Sequence, residues 1–150
     1  MYVYRIIGKK YAGDISGIGA ALYGGRWNMK GSPVLYTGES KEIALLETIV
    51  HTPPSFIPEL DILTIEIPDN SIQEIKIEDL PDNWTNYPAP AILAELAENW
   101  IESNKSIALK VPSCIIHSSN NYILNCRHPA YYKVKIIDQS GFHFDSRLAK

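Results

Sequence analysis

The chain has 150 residues, 14 basic against 17 acidic, a net charge of −3 and 45% hydrophobic side chains. That length suits one domain, 1–150, with a real core, and a pI of 5.8 argues against a domain whose main affinity is for nucleic acid or an anionic membrane. No apolar run reaches the ~20 residues of a membrane span, Met1–Lys10 does not read as a signal peptide, and Cys114 and Cys126 stand in no zinc-like cluster, so a cytoplasmic, reduced, metal-free protein is expected.

Tyr2–Ile7 reads as a strand. A glycine-rich stretch, Gly8–Ser32, leads to a short apolar strand at Pro33–Thr37. Eight of the nine glycines lie at or before Gly38, whereas nine of the ten prolines follow residue 50, so permissive backbone is concentrated in the first quarter. Ser40 caps a helix that runs to about Val50, with Glu42 in its first turn. Pro53, Pro54 and Pro58 end it and form a rigid link. Asp61–Ile67 alternates, with Leu63, Ile65 and Ile67 on one face, and Pro68 stops it; Ile75 and Ile77 suggest another short strand. Pro81–Pro90 is a loop, and Ala91–Glu102 has helical period. Ile107, Leu109 and Val111 alternate up to Pro112. Tyr131–Ile137 and Phe142–Leu148 read as strands joined by a turn at Asp138–Gly141. The outline is α+β, with six or more strands and two main helices.

Gly8–Ser32 fits no regular phosphate loop. Gly17-Ile-Gly19-Ala-Ala-Leu22 lacks the third small residue of a dinucleotide fingerprint, and no G-x-x-x-x-G-K-[ST] occurs. A surface loop with turns is the plain reading. Its end, Gly24-Gly25-Arg26-Trp27-Asn28, adds a guanidinium fork suited to diphosphate, an indole that can stack and an amide, beside two glycines that allow close backbone approach. Glu47 lies at the flank of its helix's apolar stripe. It is either a boundary residue reaching water or a partly buried carboxylate facing a cleft, suited to a cationic transition state or a sugar hydroxyl. Arg5 interrupts an apolar strand, as an outward-facing side chain or as a phosphate ligand. Tyr36 reads as a half-buried aromatic, and Ser113 as the polar residue at a strand end, outside any Gly-x-Ser-x-Gly. Asn120–Pro129 mixes amides with a histidine, as turns do. His51, His117, His128 and His143 show no paired spacing and receive no metal or base role.

Taken in order, Tyr4-Arg5-Ile6, Gly17-Ile-Gly19-Ala20, Gly24-Gly25-Arg26-Trp27-Asn28, Leu35-Tyr36, Ala44-Leu-Leu-Glu47, Leu109-Lys-Val111-Pro112-Ser113, Tyr122-Ile-Leu-Asn125, His128-Pro129 and Phe144-Asp145-Ser-Arg147-Leu148 resemble the RES domain. This is the toxin half of bacterial RES–Xre toxin–antitoxin modules. Cys126 departs from the proline usual there. The resemblance implies a single RES-type domain with an ADP-ribosyltransferase-like fold, a mixed, split β-sheet with a few helices. It implies growth arrest through depletion of NAD, cleaved at the nicotinamide–ribose bond by phosphorolysis or hydrolysis, with inorganic phosphate as a co-substrate in the first case. Arg26, Tyr36, Glu47 and Ser113 then map onto catalytic positions, and Arg5, Arg26, Trp27, Tyr36 and Asn125 onto NAD contacts, with no metal. The implied partner is an Xre-type helix-turn-helix antitoxin in a hetero-oligomer, without direct nucleic-acid binding by this chain. Two rival readings use the same residues differently: a mono-ADP-ribosyltransferase acting on a bacterial protein, and a catalytically silent module that works through its DNA-binding partner.

Overall fold

Alternating side chains set the first strand, β1 (Tyr2–Gly8), in which Val3 is buried on one face and Ile6 on the other. This and the following elements come from a computed structural model that describes residues 1–53 and 59–149. A short helix, α1 (Ile18–Tyr23), follows a left-handed Gly17. Then come β2 (Val34–Gly38), α2 (Lys41–His51), β3 (Leu60–Glu66), β4 (Ile72–Glu74), α3 (Ala91–Ser103), β5 (Ala108–Pro112), β6 (Asn120–Asn125) and β7 (Lys135–Phe142). Ser40 caps α2 as expected: its side chain accepts the Ile43 N–H at 3.1 Å.

The seven strands form one sheet in the order β4-β5-β6-β2-β1-β3-β7. Among the described residues only the β4–β5 pair is parallel. β1 meets β3 from Tyr2↔Glu66 to Gly8↔Leu60, and β2 meets β6 from Val34↔Asn125 to Gly38↔Asn121. Yet β1 and β2 are joined at the single pair Tyr4↔Gly38. The sheet is therefore mixed and almost divided into β4-β5-β6-β2 and β1-β3-β7, with few helices, which is the expected α+β architecture.

Both helices α2 and α3 cover the same face. Ala44 of α2 packs with Ile6, Leu60 and Phe144 beneath the helix. Leu93, Ala97, Trp100 and Ile101 of α3 lie on Leu109, Val111 and Ile123, together with Trp27 and Trp84. The opposite face carries Val3, Leu35, Leu63, Ile65, Tyr122 and Leu124, closed by Ala12, Ile15, Tyr131 and Val134. Burial on both faces explains the consecutive apolar residues Tyr122-Ile123-Leu124 in the middle of β6.

Several expectations change. The strand expected around Ile75 and Ile77 lies slightly earlier, at Ile72–Glu74, and Ile77–Asp79 is a turn of 3-10 helix. The hairpin expected around Asp138–Gly141 is instead one continuous strand, β7, along β3 from Leu60↔Phe142 to Glu66↔Lys135. It is an outer strand of the sheet, and its mostly exposed side chains carry no burial pattern that would reveal it. Tyr131–Lys133 and Ser146–Ala149 are 3-10 turns. Asn120–Asn125, read as turns, is the inner strand β6. Pro54 and Pro58 of the expected link lie outside the described residues.

Candidate active site

Gly38 decides where α2 sits. A Cβ there would come within 3.0 Å of the Ala44 nitrogen and 3.1 Å of Ile43 Cγ2, so the helix start rests directly on the strand. That close approach brings Glu47 down to the sheet at the ends of β5 and β6. Glu47 Oε1 accepts the Asn121 side-chain N–H at 2.8 Å and the Ser113 hydroxyl at 3.3 Å. Ser113 is fully buried, and its Oγ also accepts the N–H groups of Ile115 and Ile116 at 3.1 and 3.3 Å. With its oxygen occupied in this way, Ser113 offers Glu47 its hydrogen. Among the described residues no lysine or arginine pairs with Glu47.

Arg5 occupies the gap where β1 and β2 diverge. It pairs across β1–β3 with the buried Leu63, so it leaves the sheet on the face opposite α2. Its Nη1 donates to the Tyr36 main-chain oxygen at 2.8 Å, an acceptor facing the separated strand. No other hydrogen bond to Arg5 occurs among the described residues, so Nη1 is the one nitrogen of the guanidinium that they engage. Burial lowers the affinity of this guanidinium for its proton; Tyr131, Cys126 and Asp14 act in the other direction.

The glycine-rich loop is braced by Tyr36. The tyrosine hydroxyl donates to Asn28 Oδ1 at 2.6 Å and accepts the Trp27 N–H at 3.0 Å. Asn28 Nδ2 in turn binds the carbonyls of Ala20, Met29 and Ser32. A Cβ on Gly25 would fall 2.7 Å from the Tyr36 hydroxyl, which is why glycine is needed there. Gly24 is also required, by its φ of 71°. Burial, only partly offset by the Trp27 N–H and Arg26, pushes the Tyr36 phenol up to about 12. Its hydroxyl is thus a brace rather than a ready proton donor. Arg26, held between these fixed residues, donates to the carbonyls of Trp84 at 2.6 Å and Asn86 at 3.0 Å.

The structure brings Glu47 and Ser113 into contact, and joins Arg5 to the backbone of Tyr36. It sets Trp27 and Asn125 elsewhere. Trp27 is 3% exposed and packs with Val34, Trp84 and Trp100, so its ring belongs to the core. Asn125 is fully buried at the far end of β6, its amide donating to the Ile101 carbonyl and accepting the Arg127 N–H. The contact partner of Glu47 on β6 is Asn121, which no sequence motif singled out. Period-two alternation through Asn121-Tyr122-Ile123-Leu124-Asn125 was the available signal, since it puts residue 121 on the inner face with Ile123.

Among the described residues no group of three His, Cys, Asp or Glu side chains is placed to hold a metal ion, and no helix is long and apolar enough to cross a membrane.

The fold is that of a mixed α+β domain built on one seven-stranded sheet. The same fold occurs in the solved structure of the M. tuberculosis MbcT–MbcA toxin–antitoxin complex, with a TM-score of 0.76 over 99% of this chain and 86% of that one. At 15% identity that likeness concerns the fold alone. The model of the RES domain matches residues 2–145. Toxin Res of Yersinia enterocolitica (serotype O:8 / biotype 1B) is 39% identical over 99% of both chains. Toxin Res of Photorhabdus laumondii is 38% identical over 100% of this chain and 98% of its own. The Prs ADP-ribosylating toxin of Sphingobium sp. (strain YBL2) is 31% identical over 93% of this chain and 89% of its own. The chain belongs to the RES-domain family and is a toxin of that family.

Proposed function

We propose that this toxin acts on NAD, splitting the bond between nicotinamide and ribose. The observation that carries the reading is the Glu47 carboxylate, held through Oε1 by Ser113 and Asn121 while Oε2 has no hydrogen-bond partner among the described residues. Nicotinamide departs from a cationic ring as a neutral molecule, so no strong acid is needed to expel it. Positive charge then develops on the ribose, and a preorganised carboxylate in a partly closed site stabilises it. Arg5, with only Nη1 engaged among the described residues, supplies the anion site expected for the diphosphate. Arg26 serves the diphosphate or an attacking phosphate. In phosphorolysis, phosphate oxygen bonds to C1″ of the ribose and the products are ADP-ribose 1″-phosphate and nicotinamide. In hydrolysis, water takes that place and a proton is released with ADP-ribose.

Purified protein incubated with NAD, with and without phosphate, tests the reading by nicotinamide release. Glu47→Ala should slow it by about two to three powers of ten. Absence of release from the wild-type chain in both buffers would sink the proposal. A phosphorylated ribose product seen only in phosphate buffer would identify phosphorolysis.

The Sphingobium relative named as an ADP-ribosylating toxin favours a second reading, transfer of ADP-ribose to a protein. Radiolabel moving from NAD to a cellular protein, with little turnover in its absence, is the expected signature. The antitoxin in the structural relative's complex supports a partner for this chain as well. We take that partner to be an Xre-type helix-turn-helix protein in a cytoplasmic hetero-oligomer. Co-purification with the product of the neighbouring reading frame tests it.

A further inference from the structure

We propose that Asn121 is a positioning residue for Glu47, fixing which carboxylate oxygen meets the reacting ribose. The inference rests on the NAD-cleaving reading and goes beyond it by adding a residue from β6.

Asn121 stands in an interior strand, opposite Gly38 on β2 and Val111 on β5. Gly38 has no side chain, so nothing from β2 comes between the Asn121 amide and α2. The Asn121 Nδ2 group is 2.8 Å from Glu47 Oε1, against 3.3 Å for the Ser113 hydroxyl. It is the shorter of the two bonds, and it comes from a strand paired on both sides, whereas Ser113 follows the end of β5. A carboxylate can only accept, which settles the orientation of the amide: nitrogen toward Glu47. Both donors converge on Oε1. Oε2 is left as the oxygen that meets developing charge, and the torsions of a side chain with several rotamers are held before substrate arrives. The neighbouring Asn120 reaches Glu39, not Glu47, so the role belongs to residue 121 alone in this pair.

Asn121→Asp keeps the shape but faces Glu47 with an acceptor; Asn121→Ala removes the group. Both should lower kcat for nicotinamide release by about ten- to a hundredfold, the effect of one hydrogen bond to a charged group. KM for NAD should stay within about twofold, because the diphosphate contacts are untouched. Adding Asn121→Ala to Glu47→Ala should cause no further loss, since a positioning residue has nothing left to position. Nitrogen-edited NMR supplies a readout apart from turnover: Glu47→Ala should move the side-chain amide pair of Asn121 and leave that of Asn125 in place.

Losses that multiply in the double variant, a defect confined to KM, or an Asn121 amide pair indifferent to Glu47→Ala would each overturn the proposal. Wild-type protein that leaves NAD intact would instead bring down the proposed function, and the positioning role with it. If Asn121→Asp does not fold, as seen by circular dichroism, the Asn121→Ala kinetics and the NMR comparison still decide.

Discussion

Ser113 Oγ accepts two main-chain N–H groups and gives its hydrogen to Glu47, so one small side chain ties the turn after β5 to the Glu47 carboxylate. Ser113→Ala leaves both N–H groups without that acceptor and takes one donor from Glu47. Urea denaturation should show a loss of about 1–3 kcal/mol, the cost of buried groups left unpaired. Nicotinamide release should fall about tenfold, with KM for NAD little changed. An unaltered rate in the folded variant would reduce Ser113 to a purely structural part. Tyr36 is a residue whose nature only the structure reveals. As a half-buried aromatic it suggests ring stacking, yet its hydroxyl holds the two residues that follow Arg26, accepting the Trp27 N–H and donating to the Asn28 side chain.

At the scale of the element, α2 works because β2 ends in glycine. Gly38→Ala would set a methyl group 3.0 Å from the Ala44 nitrogen and 3.2 Å from the Ser40 oxygen, and a helix cannot yield there without shifting as a whole. The expected cost is about 1–3 kcal/mol by denaturation, accompanied by a drop in nicotinamide release as Glu47 moves away from Asn121. Gly141→Ala is the matched control: nothing lies within 4 Å of its added methyl group, and it should change neither quantity. Equal effects of the two substitutions would show that α2 does not depend on contact with Gly38.

Elements of this kind differ in how far they can be read beforehand. β3 and α3 announce themselves through Leu63, Ile65 and Ile67, and through Leu93, Ala97, Trp100 and Ile101, because one buried face imposes a period. α1 is six residues long with Gly19 inside it, too short for a period to register. β6 hides behind amides: Asn121 and Asn125 occupy inner positions where apolar residues are expected, and each is there for a hydrogen-bond partner that local sequence cannot disclose. Arg5 and Glu47 stand out as charges on apolar elements. Their placement depends on the divergence of β1 from β2 and on the absence of a side chain at Gly38, both products of tertiary packing.

Across the whole molecule, weakly acidic groups are buried on both faces of the sheet. Tyr36 packs against the α3 side, whereas Cys126 and Tyr131 pack against the opposite core. Burial raises Tyr36 from 10 to about 12, raises Cys126 from 9 to about 11, and moves Tyr131 upward as well. Each group is neutral when protonated, so above pH 9 the folded chain holds more protons than the unfolded one. Their contribution to stability is therefore complete below pH 9 and declines as pH rises through 9 to about 12. A rise of the size seen for Tyr36 corresponds to about 3 kcal/mol once pH has passed the folded value. Calorimetric melting between pH 8 and 11 should show Tm dropping progressively, and Tyr36→Phe should flatten the decline above pH 10. A Tm that holds steady over this range would contradict the burial of these groups.

Glu47 and its two holders are separated by 66 and 74 positions along the chain. That separation also has a meaning in time. A ribosome adding roughly 5–20 residues per second delivers Asn121 about 4–15 s after Glu47. Through that interval the nascent polypeptide already carries Arg5, Arg26, Tyr36 and Glu47, but not the strand that fits between β2 and β5. The proposed centre can assemble only once Asn121, well into the last third of the chain, has been added. On the proposed reading, a centre built in this order is incomplete throughout most of the chain's own translation.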